Sequence, residues 1–153
     1  MSEEYRNIYK SARKSAGLTQ EAAAEKLGIS VESVRAYETD QRIPSNEIVE
    51  LMVICYNAQH LAHQHLRATN VLAAKIVPAV EPRSVLEVAV RIHNRLNRFA
   101  RERKLDELML IAEDGRIDEK ERRLFDEIVD DIREIVKSGL ELEVFCHDGR
   151  EDT

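Results

Sequence analysis

The sequence predicts an all-α protein. Three observations carry that expectation. Only five Gly and three Pro interrupt 153 residues, the balance of 43% hydrophobic and 34% charged residues suits amphipathic helices with solvated faces, and apolar residues recur at three- and four-residue spacing through most of the chain. A chain of this length holds one ordinary domain, or one small and one medium helical domain, with a true core.

Residues Tyr5 to Ala16 are expected to form the first helix, with Ile8, Ala12 and Ala16 facing inward and Gly17 as its stop. Thr19 can cap a second helix whose Ala23, Ala24 and Leu27 share a face, and Gly28 can take the left-handed conformation that ends it. Ser30 then opens a third helix in which Val34 and Tyr37 turn toward the second. Two short helices joined by a Gly-containing turn of this length make a helix-turn-helix.

From about Ile8 to about Asn57 the chain resembles the Xre-type, phage-repressor-like helix-turn-helix domain. The residues that carry the likeness are Arg13, Gly17-Leu18-Thr19-Gln20-Glu21, Ala24 to Ser30, Val34, Tyr37-Glu38 and Arg42-Ile43-Pro44-Ser45. The resemblance implies a five-helix DNA-binding domain whose third helix lies in the major groove. It implies that Arg13 pairs with Glu38 as a structural ion pair, and that Gln20 bonds a DNA phosphate or orients a side chain of the third helix. Base-facing positions carried over are Val31, Glu32 and Ala36, flanked by Ser30, Ser33 and Arg35. Val31 and Ala36 offer only apolar contact, as with a thymine methyl, while Glu32 can accept from a cytosine amino group. Arg35 would reach a guanine or a phosphate. Arg42 is the phosphate-contact candidate, with Gln41 and Asn46 as neutral helpers. Where the family usually has Gly after Glu38, this chain has Asp40, a residue that tolerates a left-handed turn.

Pro44 sets up Ser45 as the cap of a fourth helix with Ile48, Leu51 and Ile54 at core spacing, and residues 59 to 77 read as a fifth. His60 and His63 share a face there, His65 does not, and no acid or cysteine lies among them; a polar helix face is favoured over a metal site. Pro78 to Pro82 marks a hinge, giving a DNA-binding domain over 1–77, a linker over 78–83, a helical dimerisation or partner-binding region over 84–147 and a frayed tail over 148–153.

Ser84 can cap a long helix with Val85, Ala89, Ile92, Leu96 and Phe99 as a seam, and Arg91, Arg95, Arg98, Arg101 and Arg103 on another face. Those cations are expected to pair with Asp126, Asp130, Asp131 and Glu134 of a later helix. Asp114 to Glu121 looks like half a calcium loop, but Leu110 and Ala112 stand at its first ligand positions. A helix stop at Gly115 and a capping box of Asp118 with Glu121 is preferred. The next helix offers Phe125, Ile128, Ile132 and Ile135, so an antiparallel hairpin or bundle is expected. Gly139 to Cys146 fits a short strand or continuing helix.

No run of 18 apolar residues exists and the N-terminus is acidic and polar, which argues against a membrane span or secretory signal and for a cytoplasmic protein. Cys55 and Cys146 are expected as two buried free thiols. A net charge of −6, with seven Lys or Arg against nine Asp or Glu over residues 1–57, argues against a protein that coats nucleic acid indiscriminately. The expectation is a sequence-specific transcriptional regulator of phage, prophage or bacterial type, a dimeric repressor binding a palindromic double-stranded DNA operator, with no cofactor, metal or catalytic residue. The alternative is an antitoxin or adaptor whose C-terminal helices hold a protein partner.

Overall fold

The computed structural model describes residues 7–147, the side chains of Cys146 and His147 excepted. Among these residues every regular element is helical: α1 (Ile8–Ser15), α2 (Gln20–Leu27), α3 (Val31–Glu38), α4 (Asn46–Tyr56), α5 (His60–Thr69), α6 (Val71–Ile76), α7 (Val85–Arg101), α8 (Lys104–Ile111), α9 (Arg122–Glu143) and a closing 3-10 turn, Val144–His147. The chain divides into two compact units, with the division after Val80. No helix among the described residues is long and apolar enough to cross a membrane. The expected tail over 148–153 and the expected helix start at Tyr5 lie outside the described residues.

In the first unit the caps are those the residue types demand. Thr19, Ser30 and Ser45 each accept from a backbone N–H three residues on, and Gly28 ends α2 at φ 67°. The core joins Tyr9 and Ala12 of α1, Ala23 and Leu27 of α2, Tyr37 of α3, Val49, Met52 and Tyr56 of α4, and Leu61 of α5. Two expected faces are corrected. On α1, Tyr9 is buried, Ile8 only partly so, and Ala16 is exposed as the C-cap. On α4 the inward set is Val49, Met52 and Tyr56, while Leu51 and Ile54 stand 41% and 68% exposed. Apolar residues surround α4 on nearly every side, so spacing alone could not fix its phase.

The expected single helix over 59–77 is two. Asn70 leaves the helical conformation and accepts from the N–H groups of Leu72 and Ala73, starting α6 afresh. Arg67 of α5 donates to the carbonyls of Ala74 and Val77 and fastens the break. His65 is the buried histidine of the three. Its Nδ1 faces the Tyr9 hydroxyl at 2.8 Å and its Nε2 faces Asn46 Oδ1 at 3.0 Å, which suits a neutral ring protonated at Nε2. Burial lowers the pKa of both His65 and His60, favouring the uncharged form. Cys55 is a free thiol but half-buried, not buried as expected.

In the second unit α7 and α9 run antiparallel, as Arg83 with Glu141, Arg95 with Glu134 and Arg98 with Asp131 show by their descending order. Of the expected pairing between the arginine face and the acidic helix, Arg95 with Glu134 and Arg98 with Asp131 are present, whereas Arg103 pairs with Asp106 of α8 and Asp130 with Arg133 of α9 itself. Phe99, Ile111 and Ile128 form the core, with Phe125, Ile132 and Ile135 packed on it. The expected α7 seam is half corrected: Ile92 and Phe99 turn inward, but Val85, Ala89 and Leu96 are exposed. Arg103, at φ 53°, separates α7 from α8. Asp118 and Glu121 form the reciprocal capping bonds, although regular helix starts only at Arg122. Gly139 to Glu143 continues α9 as helix rather than strand.

Candidate nucleic-acid interface

Helix α3 is held from behind by a buried polar cluster. Arg13 of α1 meets Glu38, at the end of α3, through Nε to Oε1 at 2.5 Å and Nη2 to Oε2 at 2.9 Å, and its Nη1 donates to Leu18 O. Gln20 donates from Nε2 to Glu38 Oε2 at 2.9 Å. Burial pushes the Glu38 carboxyl up, but the hydrogen bonds from Arg13 and Gln20 and the Arg13 charge outweigh it, and it titrates below the usual carboxylate range. Arg13 is correspondingly raised, first by its bond to Glu38. Tyr56 lies in the same interior, its phenol pushed up to about 12 by burial and by the charge of Glu38. These bonds fix the first three helices relative to one another.

The loop after α3 is held just as closely. Asp40 adopts φ 59°, and Asn7 donates from Nδ2 to both Tyr37 O (2.8 Å) and Asp40 Oδ1 (2.9 Å) while its own Oδ1 caps α1 at Lys10 N. The bend returns the chain along α3, with Gln41 N and Arg42 N both donating to Ala36 O. Arg42 is thereby laid on the helix. Its guanidinium carbon sits 4.9 Å from the Tyr37 ring centroid, and Nη2 donates to Ser33 Oγ at 2.6 Å. Ser30 and Ser33 are bonded through their hydroxyls at 3.0 Å.

Ser30, Ser33 and Arg42 therefore form one polar group at the start of α3. Glu32, Arg35 and Ala36 share the opposite, outward side at i, i+3, i+4 spacing, with Glu32 and Arg35 exposed, and Val31 is half-buried beside them. Gln41 is exposed in the loop. Gln20 and Asn46 are not part of this group: Gln20 is turned to Glu38, with one amide hydrogen left for a phosphate, and Asn46 Oδ1 is turned to His65. Sequence reading missed Asn7, although an Asn directly before a helix is an N-cap signal, and missed Tyr37 as the platform for Arg42.

Residues 10–59 match the family model described as helix-turn-helix. This segment is a helix-turn-helix domain. Over 131 residues, 86% of this chain and 87% of the relative, the chain is 28% identical to the HTH-type transcriptional regulator ImmR of Bacillus subtilis (strain 168). No solved structure matches the chain at a significant level. The match thus takes in most of α1 and all of α2, α3 and α4 and ends just before α5, and the similarity to ImmR extends well beyond it.

Proposed function

We propose that this chain is a sequence-specific DNA-binding transcriptional regulator of the cytoplasm, a homodimeric repressor whose α3 enters the major groove of each half of an approximate palindrome. The carrying observation is the two-sided build of α3. Its inner side is locked by Arg13, Glu38 and Gln20, its start holds Arg42 and Ser33 in one position, and its outward side leaves Glu32 and Arg35 uncommitted. A helix fixed in this way presents side chains to base edges with little further loss of conformational freedom on binding. The similarity to ImmR, a transcriptional regulator by name, supports the same reading.

In this reading Arg42 contacts a phosphate, with Ser30, Ser33, Gln41, Gln20 and Asn46 at the backbone edge. Glu32 accepts from a cytosine amino group, Val31 and Ala36 touch a thymine methyl, and Arg35 reaches the adjoining phosphate. No step of this requires a cofactor, metal or catalytic group. The test is a titration of the full-length chain with duplex DNA over a range of salt. Arg42→Ala is expected to weaken binding to every sequence alike and to reduce the salt slope by about 1. An unchanged slope removes Arg42 from the phosphate contacts. Absence of binding even at low salt favours a protein-partner module, a reading to which the acidic balance of the chain lends some weight.

A further inference from the structure

Helix α7 carries an exposed stripe that its own unit leaves uncovered. Val85, Leu86, Val90 and Leu96 are 54%, 70%, 49% and 49% exposed, and Ala89 and Ala100 are exposed beside them. By the 3.6-residue repeat they fall within an arc of about 140°, together with His93 and Asn97, which bond to each other. The arc contains no charged residue, although α7 as a whole has Glu87, Arg91, Arg95, Arg98 and Arg101. A charge-free, largely apolar stripe on a helix so rich in ions has the composition of a covered face rather than a solvated one.

We propose that the stripe is covered by α7 of a second copy of this chain, running antiparallel about a two-fold axis at His93. The two-fold is the one the palindrome reading above needs, and the proposal rests on that reading to this extent. Its register is argued from the residues themselves. With the axis at His93, Leu86 lies against the partner's Ala100, Val90 against the partner's Leu96 and Ala89 against the partner's Asn97, so large side chains meet small or mid-sized ones. A parallel pairing would instead set Leu86 on Leu86 and Ala89 on Ala89, crowding one level and leaving a gap at the next. The exposed edge of the stripe has Glu87 at its N-terminal end and Arg101 at its C-terminal end, so the antiparallel pairing brings opposite charges and opposite helix-dipole ends together. Every contact is repeated by symmetry, as an isologous dimer requires.

The experiment is sedimentation of the full-length chain together with disulfide trapping, each trapped variant read against the parent's own Cys55 and Cys146. The parent is expected to sediment as a dimer, and Leu96→Arg as a monomer at the same concentration with its helical circular dichroism unchanged. His93→Cys is expected to cross-link to itself. Leu86→Cys alone is expected not to, whereas Leu86→Cys with Ala100→Cys in one chain does. A monomeric parent, a dimer indifferent to Leu96→Arg, or self-linking of Leu86→Cys overturns the proposal. A monomer that still selects one DNA site would sink this interface and leave DNA reading standing; a Leu96-dependent dimer that selects no site would do the reverse.

Discussion

At the scale of single residues, the chain makes the left-handed turn after α3 without glycine. Asp40 stands in a left-handed position where a Cβ is strained, and Asn7 holds it there with a bond that glycine could not receive. Asn7→Ala is expected to destabilise the first unit by about 1–2 kcal/mol through loss of the α1 cap and the loop clamp. Asp40→Gly should recover part of that loss, as read by thermal unfolding of the double variant. A double variant less stable than Asn7→Ala would show that Asp40 is not strained. Glu38 gives a pH prediction. Its folded pKa is depressed, so its contribution is present above the unfolded value near 4.5 and is lost as pH falls through the lower folded value. Removing the partner with Arg13→Ala leaves a buried charge and should cost about 3 kcal/mol at neutral pH, with a smaller deficit in acid. His65 adds a second pH window. Its pKa is also lowered, so the unfolded chain binds the proton first and stability declines as pH drops below 6.5; His65→Gln should shallow that decline in denaturant titrations at pH 7 and pH 5. An identical decline in the variant would place its origin elsewhere.

At the scale of elements, legibility followed how one-sided each helix is. Helices α2 and α3 have one apolar face each and sharp caps, so Thr19, Gly28, Ser30, Val34 and Tyr37 all stand where the sequence places them. Helix α4 is apolar on nearly every side, and its true phase is set by tertiary packing against Tyr9, Leu27 and Leu61, which no local spacing records. The same ambiguity affects α7, where apolar residues lie on both the α9 side and the exposed stripe. The break at Asn70 was missed because an Asn inside an amphipathic pattern reads as a tolerated polar residue until its carboxamide caps the next turn. Met52→Ala should cost about 2–5 kcal/mol, and Ile54→Ser should stay within about 0.5 kcal/mol, measured by urea unfolding. A larger cost for Ile54→Ser than for Met52→Ala would put the face of α4 where the sequence spacing had it. Of the candidate interface, the inner bonds of Arg13 and Glu38 were legible through the family resemblance. The seat of Arg42 on Tyr37 and Ser33 was not, because it depends on the turn at Asp40.

At the scale of the whole molecule, two compact units divide the work. The first holds a helix whose outward side is free, and in the second Arg95 and Arg98 of α7 are paired with Glu134 and Asp131 of α9. Net charge is −6, so in the proposed dimer affinity comes from a few well-placed contacts made twice rather than from a basic surface. In the function proposed above, α3 reads bases and a dimer doubles the reading. The most direct measurement is parallel selection of bound fragments from the source genome by the parent chain and by Glu32→Ala. The parent is expected to enrich one approximately palindromic site, and Glu32→Ala a related site with preference changed at one base pair in each half, by about 1–3 kcal/mol. No enriched site for the parent, or an unchanged preference for Glu32→Ala, would contradict it.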